Sequence, residues 1–148
     1  MSVSLVAIDD RVAIAGQLRP QDMKDVAASG YVAVVNNRPD GEAMFGQPRT
    51  ADLKKAAEEA GLLFVDLPFS GPRATADQVR AFADLLAERP GRVVAYCKSG
   101  MRSSLLWGAV ALAQGRSLDD VLAAARRAGQ NLEPVGELMA ALGQAVRR

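Results

Sequence analysis

"RVVAYCKSGMRSS", residues 92–104, decides the fold. After Arg92 comes an unbroken apolar run, as expected of a strand covered on both faces. The residues from Ser103 onward open a helix-forming run, so the stretch reads as strand, tight turn and helix. The turn holds the only cysteine of the chain, Cys97, followed closely by Gly100 and Arg102.

The same alternation extends outward on both sides. "YVAVVN" (31–36) and "LLFVDLP" (62–68) read as two further buried strands. Pro20 opens a helix with Met23, Val26 and Ala27 on one face, and Gly30 closes it. Thr50 is expected to cap a second helix that carries Leu53, Ala56, Ala57 and Ala60 and ends at Gly61. Thr75 and Gln78 form a capping box for a third, which buries Val79, Phe82, Ala83 and Leu86 and stops before Pro90. Near the start, "SLVAI" and "VAIAG" flank "DDR" and predict a hairpin at a sheet edge. After the cysteine turn, helices are expected from about Ser103 to Gln114, after Ser117, and from about Glu133 with an apolar stripe through Val135, Leu138, Met139, Leu142 and Val146. Strands alternating with helices predict an α/β fold in three layers, a mostly parallel central sheet with helices on both faces. Residues 1–148 suit one domain.

Composition narrows the function. A net charge of +1 with no run of Lys or Arg gives no grip on nucleic acid. No long apolar stretch predicts a membrane span, and the first residues lack the basic and apolar regions of a signal peptide, so the cytoplasm is expected. One cysteine forms no internal disulfide, which suits a reducing compartment. The chain has no histidine. That removes Ser-His-Asp and Cys-His arrangements and His-ligated metals, and no metal or organic cofactor is expected.

In parallel α/β sheets ligands bind beyond the carboxyl ends of the strands. Three loops lie there, after Asn36, after Pro68 and from Cys97. In the last, amide N–H groups and the dipole of the coming helix point toward the sulfur and favour a thiolate. Gly100 lets the backbone curl, and Arg102 offers a planar fork of donors to an oxyanion. Lys98, Ser99 and Met101 complete the anion-binding loop, and a hydroxyl from Ser103 or Ser104 is placed to cap the helix and donate to the sulfur. The competing account makes Cys97 the last inward residue of a buried strand. The Gly, Arg and Ser at these offsets favour the nucleophile.

"NNRPDGE" (36–42) leaves the sheet at the same edge. Arg38 is placed to add positive charge at the mouth, and Asp40 or Glu42 to orient an arginine or donate a proton. Pro-Asp-Gly is also a favourable turn without any function. Lys98, Arg49 and Arg73 are candidates for a cationic rim, Phe69 for a pocket wall, and Trp107 for a core anchor.

"CKSGMRS" resembles the active loops of rhodaneses and, more distantly, the Cys-x5-Arg signature of cysteine phosphatases. With "VVNNRPDGE" and "GLLFVDLPF", nearly the whole chain resembles the family of the β-lactamase-hydrolase-like protein, phosphatase-like domain, also described as sulfur transferases. That resemblance implies a fold like the dual-specificity phosphatases. It also implies Cys97 as nucleophile, Arg102 as anion clamp and Ser103 as the hydroxyl that steadies the thiolate. Two features depart from the phosphatase pattern. Only four residues, Lys98 to Met101, separate Cys97 from Arg102. The loop after the preceding strand, "FSGPRA", holds no carboxylate to serve as a general acid. The sequence therefore reads first as a rhodanese-type sulfurtransferase. It would take sulfur from a small anionic donor, thiosulfate or a low-molecular-weight persulfide, and pass it to an external thiol. A phosphomonoester hydrolase acting through a cysteinyl-phosphate is the alternative enzyme, and a non-catalytic oxyanion or persulfide sensor the alternative of another class.

Overall fold

The computed structural model describes residues 3–147. Five strands form one sheet: β1 (Val6–Ala7), β2 (Val12–Ala15), β3 (Tyr31–Asn36), β4 (Leu63–Asp66) and β5 (Arg92–Tyr96), in the order β1-β2-β5-β3-β4. Only the β1–β2 pair is antiparallel, so the expected hairpin sits at the edge of an otherwise parallel sheet. Six α-helices surround it: α1 (Met23–Ala28), α2 (Thr50–Glu59), α3 (Ala76–Glu88), α4 (Met101–Ala113), α5 (Leu118–Arg127) and α6 (Gly136–Val146).

Strand alternation sorts the core into two layers. Val94 and Tyr96 of β5 pack with Met23, Val26, Leu53 and Ala57 of α1 and α2. Val93 and Ala95, their neighbours in sequence, pack on the other face with Phe82, Leu105, Val121 and Met139 of α3 to α6. The three-layer α/β architecture expected from the sequence is present. Among the described residues no helix is long and apolar enough to cross a membrane.

Three local expectations change. The apolar run "LLFVDLP" predicts a buried strand, but β4 ends the sheet, and its Asp66 is exposed. Thr50 is the first residue of α2 rather than its cap. The capping oxygen comes from Asp40, whose Oδ1 accepts from both the N–H and the Oγ1 of Thr50 at 2.8 Å. Helix α4 starts at Met101, two residues before Ser103, because Gly100 in the left-handed region (φ 95°) turns the chain straight into it.

The capping box predicted for α3 is present, with Thr75 accepting from the Gln78 N–H. Helix α4 is the central pillar, buried from Ser103 through Ala111. Trp107 anchors it: its Nε1 donates to Asp9 Oδ2 at 2.7 Å, which ties α4 to the β1–β2 turn. Helix α6 crosses α4 at two glycines. A Cβ on Gly108 would run into the Met139 sulfur, and one on Gly143 would lie 3.0 Å from the Ala109 carbonyl oxygen.

Candidate active site

The ends of β3, β4 and β5 are laced together below the cysteine. Asn37 is fully buried. Its N–H donates to the Tyr96 carbonyl at 2.8 Å, its Nδ2 to the Leu67 carbonyl at 3.0 Å, and its Oδ1 accepts from Ser103 Oγ at 2.8 Å. Asn36 does similar work one residue earlier, with Nδ2 donating to Asp66 and to the Arg38 carbonyl, and Oδ1 accepting the Arg38 N–H. The cysteine loop is fixed to β2 as well: the Cys97 N–H donates to Ala15 O, and Lys98 O accepts from the Gln17 N–H, both at 3.3 Å.

Cys97 lies at the floor of this arrangement and is 1% exposed. Its sulfur faces the loop rather than the aliphatic core, for Sγ accepts the Gly100 N–H at 3.1 Å. Gly100 is needed there twice over. Its backbone is left-handed, and a Cβ would come within 2.8 Å of both Gln130 Nε2 and Ile14 Cγ2. Among the described residues the N–H groups of Lys98, Ser99, Met101 and Arg102 donate to no protein acceptor. The Gly100 N–H thus meets the sulfur, and the loop and first turn of α4 keep further amides unpaired, the kind of donor that binds anions at a helix N-terminus. Lys98 and Ser99 are exposed, Gly100 is buried, and Met101 is half-buried against the core.

Arg102, in the first turn of α4, joins the other two loops at this edge. Its Nη1 and Nη2 donate to Glu42 Oε2 and Oε1 at 2.7 and 2.9 Å, and Nη1 also donates to the Phe69 carbonyl at 3.0 Å. Three of the five guanidinium N–H groups are thereby taken. The two left over, Nε–H and the second Nη2–H, lie parallel along one edge of the plane, the pattern that grips an oxyanion bidentately. Glu42 raises the Arg102 pKa above its ordinary value, and the charge of Cys97 adds to the effect.

Glu42 is shared. Arg38 Nε donates to its Oε1 at 2.9 Å, and Arg38 Nη1 donates to Gln17 Oε1 at 3.0 Å. The Arg102 hydrogen bond, aided by Arg38, holds the Glu42 pKa down to about 2. Two guanidinium charges face one carboxylate, so the trio of Arg38, Arg102 and Glu42 carries one net positive charge to set against a thiolate at Cys97.

The structure thus sorts the candidates. Gly100 is joined to Cys97 by its N–H, and of Asp40 and Glu42 it is Glu42 that binds Arg102. Asp40 is committed to α2. Arg38 is buried behind Glu42 instead of lying at the mouth. Neither serine caps α4 or donates to the sulfur: Ser103 donates to Asn37, and Ser104 to the Gly100 carbonyl at 2.7 Å. Asn36, Asn37 and Gln17 escaped the sequence analysis. The one signal was a pair of amides closing the apolar run "YVAVVNN".

Comparison with known proteins follows the same lines. The model of the family described as Beta-lactamase hydrolase-like protein, phosphatase-like domain, matches residues 4–116. The Beta-lactamase hydrolase-like protein of Agrobacterium fabrum is 41% identical over 102 residues, which are 69% of this chain and 23% of that protein. The chain spans about a quarter of the length of the curated relatives it matches. Among solved structures, a suggested phosphatase of Neisseria meningitidis is 33% identical with a TM-score of 0.81, covering 93% of this chain and 96% of that one. The kinase associated phosphatase superposes with a TM-score of 0.79 at 10% identity, over 99% of this chain and 97% of its own, a likeness of fold.

Proposed function

The chain belongs to the family of the Beta-lactamase hydrolase-like protein, phosphatase-like domain, and from that premise we propose that it is a sulfurtransferase working through a persulfide on Cys97. The observation that carries this reading is how the acids of this edge are engaged among the described residues. The loop from Phe69 to Ala74 has no carboxylate. Glu42 holds its proton only near pH 2 and is bound to two arginines, and Asp40 caps a helix. A phosphomonoester needs a proton on its departing alkoxide, a service worth roughly 10²–10⁴-fold. Thiosulfate does not, because sulfite leaves as a stable anion.

In the proposed reaction the two free N–H groups of Arg102 and the loop amides hold the donor's oxyanion end. The Cys97 thiolate attacks the outer sulfur. The sulfur–sulfur bond of thiosulfate breaks with its electron pair on sulfite, leaving Cys97 as Cys–S–S⁻, and no proton moves. A thiolate acceptor then attacks the outer sulfur, and the electron pair of the broken bond returns to Sγ. The acceptor comes from another molecule, for the chain has no second cysteine. Glu42 is a positioning residue: it fixes which edge of Arg102 faces the anion.

The second reading is a cysteine-dependent phosphomonoester hydrolase. The suggested phosphatase of Neisseria meningitidis, 33% identical to this chain with a TM-score of 0.81, speaks for it more directly than for sulfur transfer. The four-residue spacing between Cys97 and Arg102 speaks against it, since it narrows the cradle below the phosphatase length.

A paired assay on the protein and its Cys97→Ser variant separates the readings. One arm follows sulfur transfer from thiosulfate or glutathione persulfide to cyanide, the other hydrolysis of p-nitrophenyl phosphate. The proposal expects Cys97-dependent thiocyanate and a mass gain of one sulfur atom on the donor-treated protein. Fast Cys97-dependent phosphate release without thiocyanate makes it a hydrolase, and indifference of both arms to the substitution makes it a binding module.

A further inference from the structure

The second loop carries a feature that the anion site does not use. Met44 and Phe45 are 88% and 86% exposed, far beyond Val6 at 40% and Leu118 at 38%, the other exposed large apolar side chains among the described residues. They sit two and three residues after Glu42, the carboxylate that holds Arg102. Gly41 and Gly46 flank them, both left-handed, and a Cβ on either would meet nothing within 4 Å. The tip stands clear of the protein on two bends. Leaving two such side chains in water forgoes the stabilisation that burying them would give. Adjacent exposed apolar groups mark a contact surface.

The charge around the tip indicates what it contacts. Lys98 and Arg73, on the two neighbouring loops, are exposed and form no ion pair among the described residues. The acids of this edge are occupied: Asp40 with Thr50, Glu42 with Arg38 and Arg102, Asp66 with Asn36. An apolar tip on one loop, with unpaired cations on the two neighbouring loops, complements a surface with an apolar recess among carboxylates. The reaction itself demands a visitor, for the acceptor is external and must be guided to a sulfur that is 1% exposed.

We propose that the Met44–Phe45 tip, with Lys98 and Arg73, is the docking surface for a protein acceptor whose reacting cysteine lies among acidic and aliphatic residues. This rests on the persulfide reading. Transfer follows the acceptor half-reaction already given, with the partner's thiolate as nucleophile and Cys97 regenerated as thiolate.

The test compares the protein with the Met44→Ser/Phe45→Ser double variant, whose altered side chains are exposed and whose melting temperature serves as the folding control. The probe is a short fluorescent peptide with a central cysteine between leucines and glutamates. Binding is read by anisotropy on its serine analogue, which needs no catalysis and so stands even if sulfur transfer fails. The double variant is expected to weaken peptide binding at least about tenfold, and to raise KM for the cysteine peptide alike, while thiosulfate-to-cyanide turnover stays within about twofold. A lysine-for-glutamate peptide is expected to bind neither protein. Equal peptide binding by the two proteins overturns the proposal, as does an equal loss of cyanide turnover, which makes the tip a lid on the anion site. Loss of sedimentation with anionic phospholipid vesicles, with peptide binding unchanged, overturns it in favour of a membrane contact.

Discussion

Glu42 grips Arg102 by both terminal nitrogens, at 2.7 and 2.9 Å, from sixty residues away in the chain. The pairing leaves the Nε–H and one Nη2–H of Arg102 without a protein acceptor among the described residues and sets their direction. Glu42→Gln removes the charge and one of the two matched acceptors. A charge-assisted hydrogen bond contributes about 1.5–3 kcal/mol, so kcat/KM for thiosulfate should fall roughly 10–100-fold. The loss should appear mainly in KM, because the anion is held before the chemistry. An unchanged KM would show that Arg102 is oriented by Phe69 O alone.

The same pair predicts how stability responds to acid. The Arg102 hydrogen bond first, and that of Arg38 after it, lower the Glu42 pKa to about 2 from an ordinary value of 4.5, against the opposing effect of burial. A carboxylate lowered on folding stabilises fully above its unfolded pKa and loses that contribution as pH falls toward the folded one. Urea unfolding should therefore show stability declining between pH 4.5 and about pH 2, and the Glu42→Gln profile should be flatter over the same interval. Parallel profiles would assign the acid sensitivity to other carboxylates.

Gly100→Ala tests the floor of the site. The new methyl group meets a left-handed backbone (φ 95°) and two atoms at 2.8 Å, one of them Ile14 Cγ2 in the core. The backbone conformation alone costs about 1–2 kcal/mol. The N–H that reaches Cys97 Sγ is displaced with it. Both the denaturation midpoint and Cys97-dependent turnover should fall, whereas Ser99→Ala, at an exposed position, should leave the midpoint unchanged.

Tyr96→Phe should behave in the opposite way. The Tyr96 hydroxyl is buried with no hydrogen-bond partner, and burial, together with Asp66 and Asp40, pushes its pKa far up. An unsatisfied buried hydroxyl costs about 1–3 kcal/mol, so deleting it should leave stability equal or higher. A drop in the urea midpoint would reveal a bound water bridging that oxygen to its neighbours.

The parts legible in the sequence are those with a local signal. Period and punctuation placed the hairpin, the strands and the Thr75–Gln78 box, and the residues from Cys97 to Arg102 marked a strand-to-helix turn. What escaped depends on partners distant in sequence. Nothing near Asp40 says that it will cap Thr50, because a turn of any length could bring another acceptor there. Nothing near Ser103 says that its hydroxyl will be drawn away by Asn37. The start of α4 was placed late because the serines looked like caps, while a left-handed glycine had already turned the chain. Glu42 was one of two neighbouring acids, and only the path of the loop chose between them.

The glycine crossing of α4 and α6 has a consequence for how small this unit can become. Residues 136–146 lie beyond the stretch that the family model matches, yet Met139 fills the notch left by Gly108 on the helix whose first turn cradles the sulfur. A fragment trimmed after residue 116 would strip that flank of the pillar to solvent and loosen the reactive turn from behind. Any shorter relative, or any minimised catalyst built on this scaffold, has to bring substitute padding to the same notch.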